Sequence, residues 1–179
     1  KKLSYTKFGE TKLLNKWYYE MHDLSHNFRI TDFQCALGIS QLKKIDFFIK
    51  KRGDIASKYF ELFSKVERDL VQFPSCNKNY LHAYHLFIVF IKFNKLKGGR
   101  AKLMHDLENK GIQTQVNYIP IYYHPFYRKM FGKLDLSGCK SFYNKCLSLP
   151  IYPSMKFEDV EYVVNSLVSL IKKNKIKDT

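Results

Sequence analysis

The chain has 179 residues, the size of one ordinary domain or of two small ones. Hydrophobic residues make up 45% of it and aromatic residues 16%, which excludes a disordered tail and the collagen-like, low-complexity and disulfide-scaffold classes. The 31 Lys and Arg residues outnumber the 16 Asp and Glu residues, so the formal net charge is +15.

The positive charges are scattered along the whole length, with modest clusters at residues 50–52 and 172–177. A nucleic-acid-binding protein usually concentrates its Lys and Arg residues on one face, so this distribution favours no nucleic-acid partner. A basic nucleic-acid binder nevertheless stays open as one alternative function. Such a protein would lose affinity steeply as salt is added.

The sequence shows neither a membrane segment nor a secretory signal. Its longest apolar run, residues 86–91, is far shorter than the roughly 20 residues that a membrane helix needs. The basic N-terminus lacks the apolar stretch of a signal peptide. The 4 cysteines form no C-x-x-C pair and have no close His partner, which predicts reduced thiols and no metal site. These patterns predict a cytoplasmic protein without a membrane partner.

Two helices and then two strands are predicted in the first half of the chain. Residues 1–23 are polar and irregular, after which Thr31 and Asp32 offer side-chain oxygens as a helix cap. Apolar residues at helical spacing then predict a first helix up to about residue 45 and a second over about 45–66. A short strand is predicted at 70–73, and a central strand at 84–91 because that stretch is apolar on both faces.

The second half is predicted to alternate between helices and a strand. Two glycines at 98–99 precede a helix that ends near Gly111, and residues 112–118 alternate as a strand with one wet face does. Helices are predicted at about 137–146 and 157–172, separated by a turn at 150–153. The Gly98-Gly99-Arg100 segment is interpreted as a plain turn rather than an anion-binding nest. This order of elements is typical of a small α+β layer.

Three longer stretches are too particular to be generic: residues 17–52 (WYYEMHDLSHNFRITDFQCALGISQLKKIDFFIKKR), 111–129 (GIQTQVNYIPIYYHPFYRK) and 142–155 (FYNKCLSLPIYPSM). In this order and spacing they resemble the C-terminal half of the DegT/DnrJ/EryC1/StrS-type nucleotide-sugar aminotransferases. These are fold-type-I enzymes that depend on pyridoxal 5′-phosphate (PLP). The WYYE and NYIPIYYHPFY segments resemble most closely the members that act on UDP-4-keto-6-deoxy sugars in pseudaminic acid biosynthesis.

The resemblance implies an α+β fold, namely the family's small C-terminal domain, with a short and mostly antiparallel sheet packed by helices. Residues 1–30 are expected to be an interface arm left from the end of the large domain, and residues 31–179 the small domain. The first helix, with Phe33, Leu37 and Leu42, is expected either at a homodimer interface or in the domain core. Exposed apolar surface is expected where the large domain would pack.

The implied activity is transfer of an amino group from glutamate to the C4 ketone of a UDP-4-keto-6-deoxy-N-acetylhexosamine. The family's PLP-binding lysine belongs to a region that precedes residue 17, so this chain is expected to hold no catalytic residue and not to transaminate alone. Lys145, in the segment 141–145, only superficially resembles the family's Ser-Phe-His-x-x-Lys pattern and stands one residue too early. A non-catalytic fragment, or an interaction domain that pairs with a separate catalytic chain, is the second hypothesis.

Asn27 and Arg29 occupy positions that contact the cofactor phosphate of the other subunit in the family. An amide donates a directed hydrogen bond to a phosphate oxygen, and a guanidinium offers two parallel donors. Without the resemblance, an Asn capping a turn and an Arg in a surface ion pair would be the preferred explanations. The family usually has Gly before this Asn, whereas His26 stands here.

Asn117, Tyr122, Tyr123 and His124 are expected to contact the substrate, because the matching loop of the family, which also includes Tyr118, lies beside its substrate pocket. Tyr and His offer ring surface to a uracil or sugar and hydrogen bonds to hydroxyl groups. The alternative is that these aromatic residues merely plug the edge of the small domain.

Overall fold

The computed structural model describes residues 26, 28–75 and 79–176. The chain forms two compact units, residues 1–41 and 42–179, and each is described by itself. The division into an interface arm of 1–30 and a small domain of 31–179 stays a prediction.

Six helices and two strands follow one another in the described residues. In chain order they are α1 (Asp32–Leu42), α2 (Ile45–Ser64), β1 (Phe87–Phe90), α3 (Gly99–Glu108), α4 (Pro125–Phe131), α5 (Ser137–Lys145), β2 (Cys146–Leu149) and α6 (Phe157–Asn174). Two short 3-10 turns, Phe93–Lys95 and Ile121–Tyr123, precede α3 and α4. The predicted α+β class is confirmed.

Helix α1 begins at the cap that the sequence indicated. The Thr31 hydroxyl accepts the backbone N–H of Gln34 at 3.3 Å, and the Gln34 side-chain oxygen accepts the backbone N–H of Thr31 at 2.9 Å. This reciprocal pair satisfies two N–H groups that a helix start otherwise leaves without partners. No residue of α1 is buried, and its large apolar side chains are exposed: Phe33, Leu37, Ile39 and Leu42. The two expectations for this helix, a dimer interface or a place in the domain core, both stay predictions.

The core of the second unit lies between helices and one face of the sheet. Helix α6 packs against both α2 and α3, and α2 directs Ile55, Tyr59 and Phe63 inward. The largest fully buried side chains are Tyr59, Leu103, Leu107, Leu147, Leu167, Val89, Val160 and Cys146. They come from both strands and from three helices, α2, α3 and α6, so the core depends on all five elements packing together.

The sheet is antiparallel and small. Strands β1 and β2 pair with Phe87 opposite Leu149 and Phe90 opposite Cys146. A single antiparallel bridge flanks each strand, from Gln72 to Phe90 on one side and from Gln115 to Ser148 on the other. The strand predicted within 84–91 is confirmed for four residues, whereas its predicted central position is not, because the sheet has two strands and only the single bridge to Gln72 lies on the other side of β1.

Two predicted strands are corrected, and two further elements, α4 and β2, were not predicted from the sequence. The predicted strands at 70–73 and 112–118 are reduced to the single bridges at Gln72 and Gln115. The neighbouring residues of these two stretches do not extend either bridge into a strand. The aromatic stretch after His124 is a helix, α4, that starts with Pro125 at its first position, where a missing N–H costs nothing. Strand β2 was not predicted because its four residues lie directly between the end of α5 and Pro150.

The two faces of the sheet are covered differently. Alternation directs Phe87, Val89 and their neighbours on β2 toward the core, where the Phe87 ring stacks on Tyr59 with centroids 4.4 Å apart. The opposite face carries Phe90, which meets Phe142 of α5 edge to face at 5.4 Å. Cys146 and Ser148 of β2 share this second face, and the residues predicted to bind substrate lie near it. Over residues 26, 28–75 and 79–176, no helix is long and apolar enough to cross a membrane.

Candidate functional site

The predicted phosphate-binding residues belong to the first unit. Asn27 lies outside the described residues. Arg29 is exposed, as are its neighbours Phe28 and Ile30. An exposed guanidinium fits an anionic phosphate, since its planar donors can reach two oxygens at once. The contact with a cofactor phosphate stays a prediction.

Asn117 is held beside strand β2 by its side chain. The backbones of Gln115 and Ser148 exchange hydrogen bonds of 3.2 and 2.8 Å, which brings this edge of the chain against the strand. Two residues farther on, the Ser148 hydroxyl donates to the Asn117 side-chain oxygen at 2.6 Å. Ser148 is 7% exposed, and Asn117 is half-buried. Tyr118 follows through a cis peptide bond and is exposed.

Tyr122 and Tyr123 lie side by side on the 3-10 turn before α4. Their ring centroids are 4.5 Å apart, and the Tyr123 ring also faces Tyr143 of α5 at 6.2 Å. Tyr122 is buried at 8% exposure and donates a long hydrogen bond of 3.4 Å to the carbonyl of Leu136. Tyr123 keeps 37% of its surface exposed. The structure thus brings these two tyrosines together but turns only Tyr123 toward solvent.

His124 is exposed at the start of α4. Its backbone carbonyl accepts the N–H of Arg128 at 3.0 Å, which fixes the backbone while the imidazole extends outward. Lys145 is exposed at the last position of α5, and its carbonyl accepts the N–H of Ile91 at 2.9 Å. Its visible role is therefore a backbone link between α5 and the strand region.

Arg100 of α3 contacts the end of α5, the start of β2 and the 3-10 turn at Phe93–Lys95, which the sequence analysis did not predict. Its guanidinium donates to the carbonyl of Tyr143 and, at 3.4 Å, to that of Cys146. It also lies over the Tyr143 and Phe93 rings at 4.6 and 5.4 Å. The two carbonyls stand at the C-terminal end of α5, where the helix dipole favours a cation. A positive residue directly after two glycines at a helix start was the available signal.

The glycines before Arg100 serve the geometry of this turn. Gly98 and Gly99 have φ angles of 76° and 60°, which L side chains rarely adopt. A Cβ on Gly98 would stand 2.6 Å from Cβ of Lys102. The interpretation as a turn fits the glycines, whereas Arg100 takes part in tertiary packing.

Two ionisable side chains near the second face, Tyr122 and Cys146, have raised pKa values. Burial, with a smaller contribution from the hydrogen bond to Tyr123, raises the pKa of Tyr122 to about 12. Burial also raises the pKa of the Cys146 thiol, although the nearby Arg100 charge opposes this shift. Both side chains are therefore uncharged near neutral pH, so this thiol is poorly suited to act as a nucleophile. In the described part of the chain, no group of three His, Cys, Asp or Glu residues could hold a metal ion.

We expect the chain to lose stability as the pH rises above about 10, where an unfolded tyrosine begins to ionise. The folded state raises the pKa of Tyr59 as well as that of Tyr122, so it retains both protons where the unfolded state releases them. Urea denaturation at pH 8 and at higher pH measures the effect. Tyr122→Phe should reduce the alkaline loss of unfolding free energy, whereas the control Tyr80→Phe, which removes a hydroxyl from a side chain that is 74% exposed, should not. An equal pH dependence of the two variants would contradict the assignment.

Comparison with known proteins decides the family. The sequence matches the DegT/DnrJ/EryC1/StrS aminotransferase family over residues 2–168. The chain belongs to this family. The resemblance described from the three sequence stretches is thereby confirmed.

Two curated relatives and one solved structure illustrate the match. An uncharacterized protein of Methanocaldococcus jannaschii is 38% identical over 89% of this chain and 41% of its own length. The UDP-4-amino-4,6-dideoxy-N-acetyl-beta-L-altrosamine transaminase of Campylobacter jejuni is 33% identical over 89% of this chain and 42% of its own. The structure of Helicobacter pylori PseC, an aminotransferase involved in pseudoaminic acid biosynthesis, has a TM-score of 0.73 at 27% identity and covers 89% of this chain and 42% of that one.

The chain thus spans about two fifths of the length of these family members. Its fold is that of the corresponding part of the PLP-dependent aminotransferases, as predicted. Solved structures that share this fold include forms with PLP and with its amino form, PMP.

Proposed function

We propose that this chain is the C-terminal part of an aminotransferase that moves an amino group from glutamate to the C4 ketone of a UDP-4-keto-6-deoxy-N-acetylhexosamine. The observation that carries the proposal is the match to the Campylobacter jejuni altrosamine transaminase over 89% of the chain. The likeness to PseC at 27% identity supports the same substrate class. The lysine that binds PLP covalently is proposed to lie outside these 179 residues.

The cofactor and the dimer are part of the same proposal. PLP, when bound, supplies the electron sink that the amino transfer needs. Asn27 and Arg29 would hold its phosphate across a homodimer interface through a neutral donor and a guanidinium fork. The exposure of Arg29 is what such a contact requires.

The residues beside the second face of the sheet are proposed to hold the substrate. Tyr123 and His124 present exposed ring edges, and Asn117 presents an amide. Tyr122 would support Tyr123, because its buried ring packs against the Tyr123 ring with the ring centroids 4.5 Å apart. This arrangement would orient a uracil or sugar by ring contact and hydrogen bonds.

A titration of the chain with UDP, followed by calorimetry, tests this placement. Tyr123→Ala should weaken binding about five-fold, since an aromatic contact is worth roughly 1 kcal/mol. Tyr152→Ala is the matched control, because Tyr152 is 46% exposed and lies outside the proposed site. Equal affinities of the two variants would contradict the assignment of Tyr123.

A second candidate function, an interaction domain that pairs with a separate catalytic chain, is favoured by exposed apolar surface. Apart from α1, one stretch of the second unit exposes many large apolar side chains: Tyr118, Ile119, Ile121, Phe126, Tyr127, Met130, Phe131, Leu134 and Leu136. Surfaces of this kind commonly mark protein contacts. No UDP binding by the unmodified chain would favour this candidate over a substrate-binding role.

A further inference from the structure

Ser148 is a single hydroxyl within the otherwise apolar strand β2. Its side chain is almost fully buried, at 7% exposure, between Leu147 and Leu149 along the chain. A buried hydroxyl without a partner is costly, so a residue of this kind must be satisfied. Its partner is the Asn117 side-chain oxygen at 2.6 Å, which is a side chain and not a backbone carbonyl.

Backbone hydrogen bonds hold the two chain segments on either side of this side-chain contact. Ser148 pairs with Ile88 within the sheet, and its other edge exchanges two backbone hydrogen bonds with Gln115. Asn117 follows Gln115 by two residues along the same edge of β2. Strand β2 therefore holds this segment through the backbone of Gln115 and through the side chain of Asn117.

The direction of this hydrogen bond determines whether the oxygen or the NH₂ group of the Asn117 side chain is left to bind a ligand. An asparagine side chain has an oxygen that accepts and an NH₂ group that donates two hydrogen bonds. The Ser148 hydroxyl occupies the oxygen, and among the described residues no acceptor takes the NH₂ group. Rotating the amide by half a turn would leave the hydroxyl hydrogen without this acceptor in a buried position, which is unfavourable.

We propose that Ser148 is a positioning residue that sets the Asn117 amide as a hydrogen-bond donor to an acceptor oxygen of the ligand. This inference rests on the proposed function, in which Asn117 belongs to the substrate side. The ligand group at this position is a carbonyl or phosphate oxygen of a pyrimidine nucleotide. Such an oxygen can only accept, so the fixed NH₂ group selects it over a group that must donate.

The first measurement concerns the free protein. The two NH₂ protons of Asn117 are identified in a ¹⁵N spectrum as the pair that Asn117→Asp removes. Ser148→Thr keeps the hydroxyl, whereas Ser148→Val has nearly the same shape as that threonine but no hydroxyl. We expect the Asn117 pair to keep its position in S148T and to shift in S148V toward the resonances of solvated asparagine amides. Strand N–H resonances of β1 and β2 report whether each variant is folded.

The second measurement is binding of UDP, uridine and inorganic phosphate by the same proteins. S148V should weaken UDP binding about five-fold, the value of a typical hydrogen bond, and S148T should leave it within about two-fold. N117D should weaken it further, because a carboxylate cannot donate and repels phosphate. A matching loss with uridine assigns the acceptor to the uracil carbonyl, and a loss confined to UDP and phosphate assigns it to a phosphate oxygen.

The outcomes separate this inference from the proposed function. An Asn117 pair that is unchanged in S148V, or equal UDP affinities of folded S148V and S148T, would overturn the positioning role. Absence of UDP binding by the unmodified chain, together with a shifted pair in S148V, would contradict the proposed function and still support positioning by Ser148.

Discussion

Replacing Tyr59 by alanine is expected to lower the free energy of unfolding by about 3–5 kcal/mol, the cost typical of truncating a large buried aromatic residue. Tyr59 is fully buried on α2, and its ring stacks on Phe87 of β1 at 4.4 Å. Its hydroxyl donates to the carbonyl of Pro150 at 2.9 Å, just after β2. The side chain therefore joins α2 to both strands at once. Urea denaturation followed by circular dichroism measures the loss.

Tyr59→Phe is the matched control. It keeps the ring packing and removes only the hydroxyl, so we expect a cost of about 1 kcal/mol from the unpaired Pro150 carbonyl. If Y59F and Y59A lost equal stability, the hydrogen bond rather than the packing would join these elements, and the argument from burial would be wrong. The phenylalanine variant should also show a weaker loss of stability above pH 10, because burial raises the pKa of Tyr59.

Replacing Arg100 by alanine is expected to cost about 2 kcal/mol, since hydrogen bonds to a charged group contribute about 1.5–3 kcal/mol. The guanidinium bonds the carbonyls of Tyr143 and Cys146 and packs on the Tyr143 ring. Its removal leaves the C-terminal end of α5 without this cap and loosens the ring that faces Tyr123. Amide hydrogen exchange should show faster opening of α5, whereas α2 and α6 should change only through the global loss of stability.

Arg100→Lys tests which property of the side chain matters. Lysine keeps the charge near the helix end but lacks the planar fork and the ring contact, so we expect it to recover less than half of the loss. An alanine variant with unchanged exchange in α5 would contradict the capping role. Full recovery by lysine would show that the charge at the helix end, and not the hydrogen-bond geometry, accounts for the effect.

Much of the helical part of the fold was predictable. Helix α2 carries apolar residues at helical spacing over its 20 residues, and α6 does so over 18, so the period is unambiguous. The cap at Thr31 was also predictable, because a short hydroxyl side chain before a periodic stretch has few other uses. The small strands were less accessible: four residues such as Cys146–Leu149 show no more than two periods of alternation.

The candidate site, too, was predictable from the sequence only in part. Asn117, Tyr122, Tyr123 and His124 were named from the resemblance of one loop to a family, which shows neither burial nor partners. Only the folded chain shows Tyr122 buried and Tyr123 half open. The partners of Ser148 and Arg100 could not be assigned from the sequence, since each side chain bonds residues that are far away along the chain.

Residue order and spacing thus determined five of the six helices, the cap of α1 at Thr31 and the family to which the chain belongs, because these depend on side chains that are close together along the chain. Tertiary structure alone decided the pairing of β1 with β2, the capping of α5 by Arg100 and the direction in which Ser148 holds the Asn117 amide. Each of these joins groups that are 30 or more positions apart in the chain, as in the 31-residue separation of Asn117 and Ser148. Local periodicity carries no information about such contacts, whose geometry is fixed only when the sheet and its covering helices pack together.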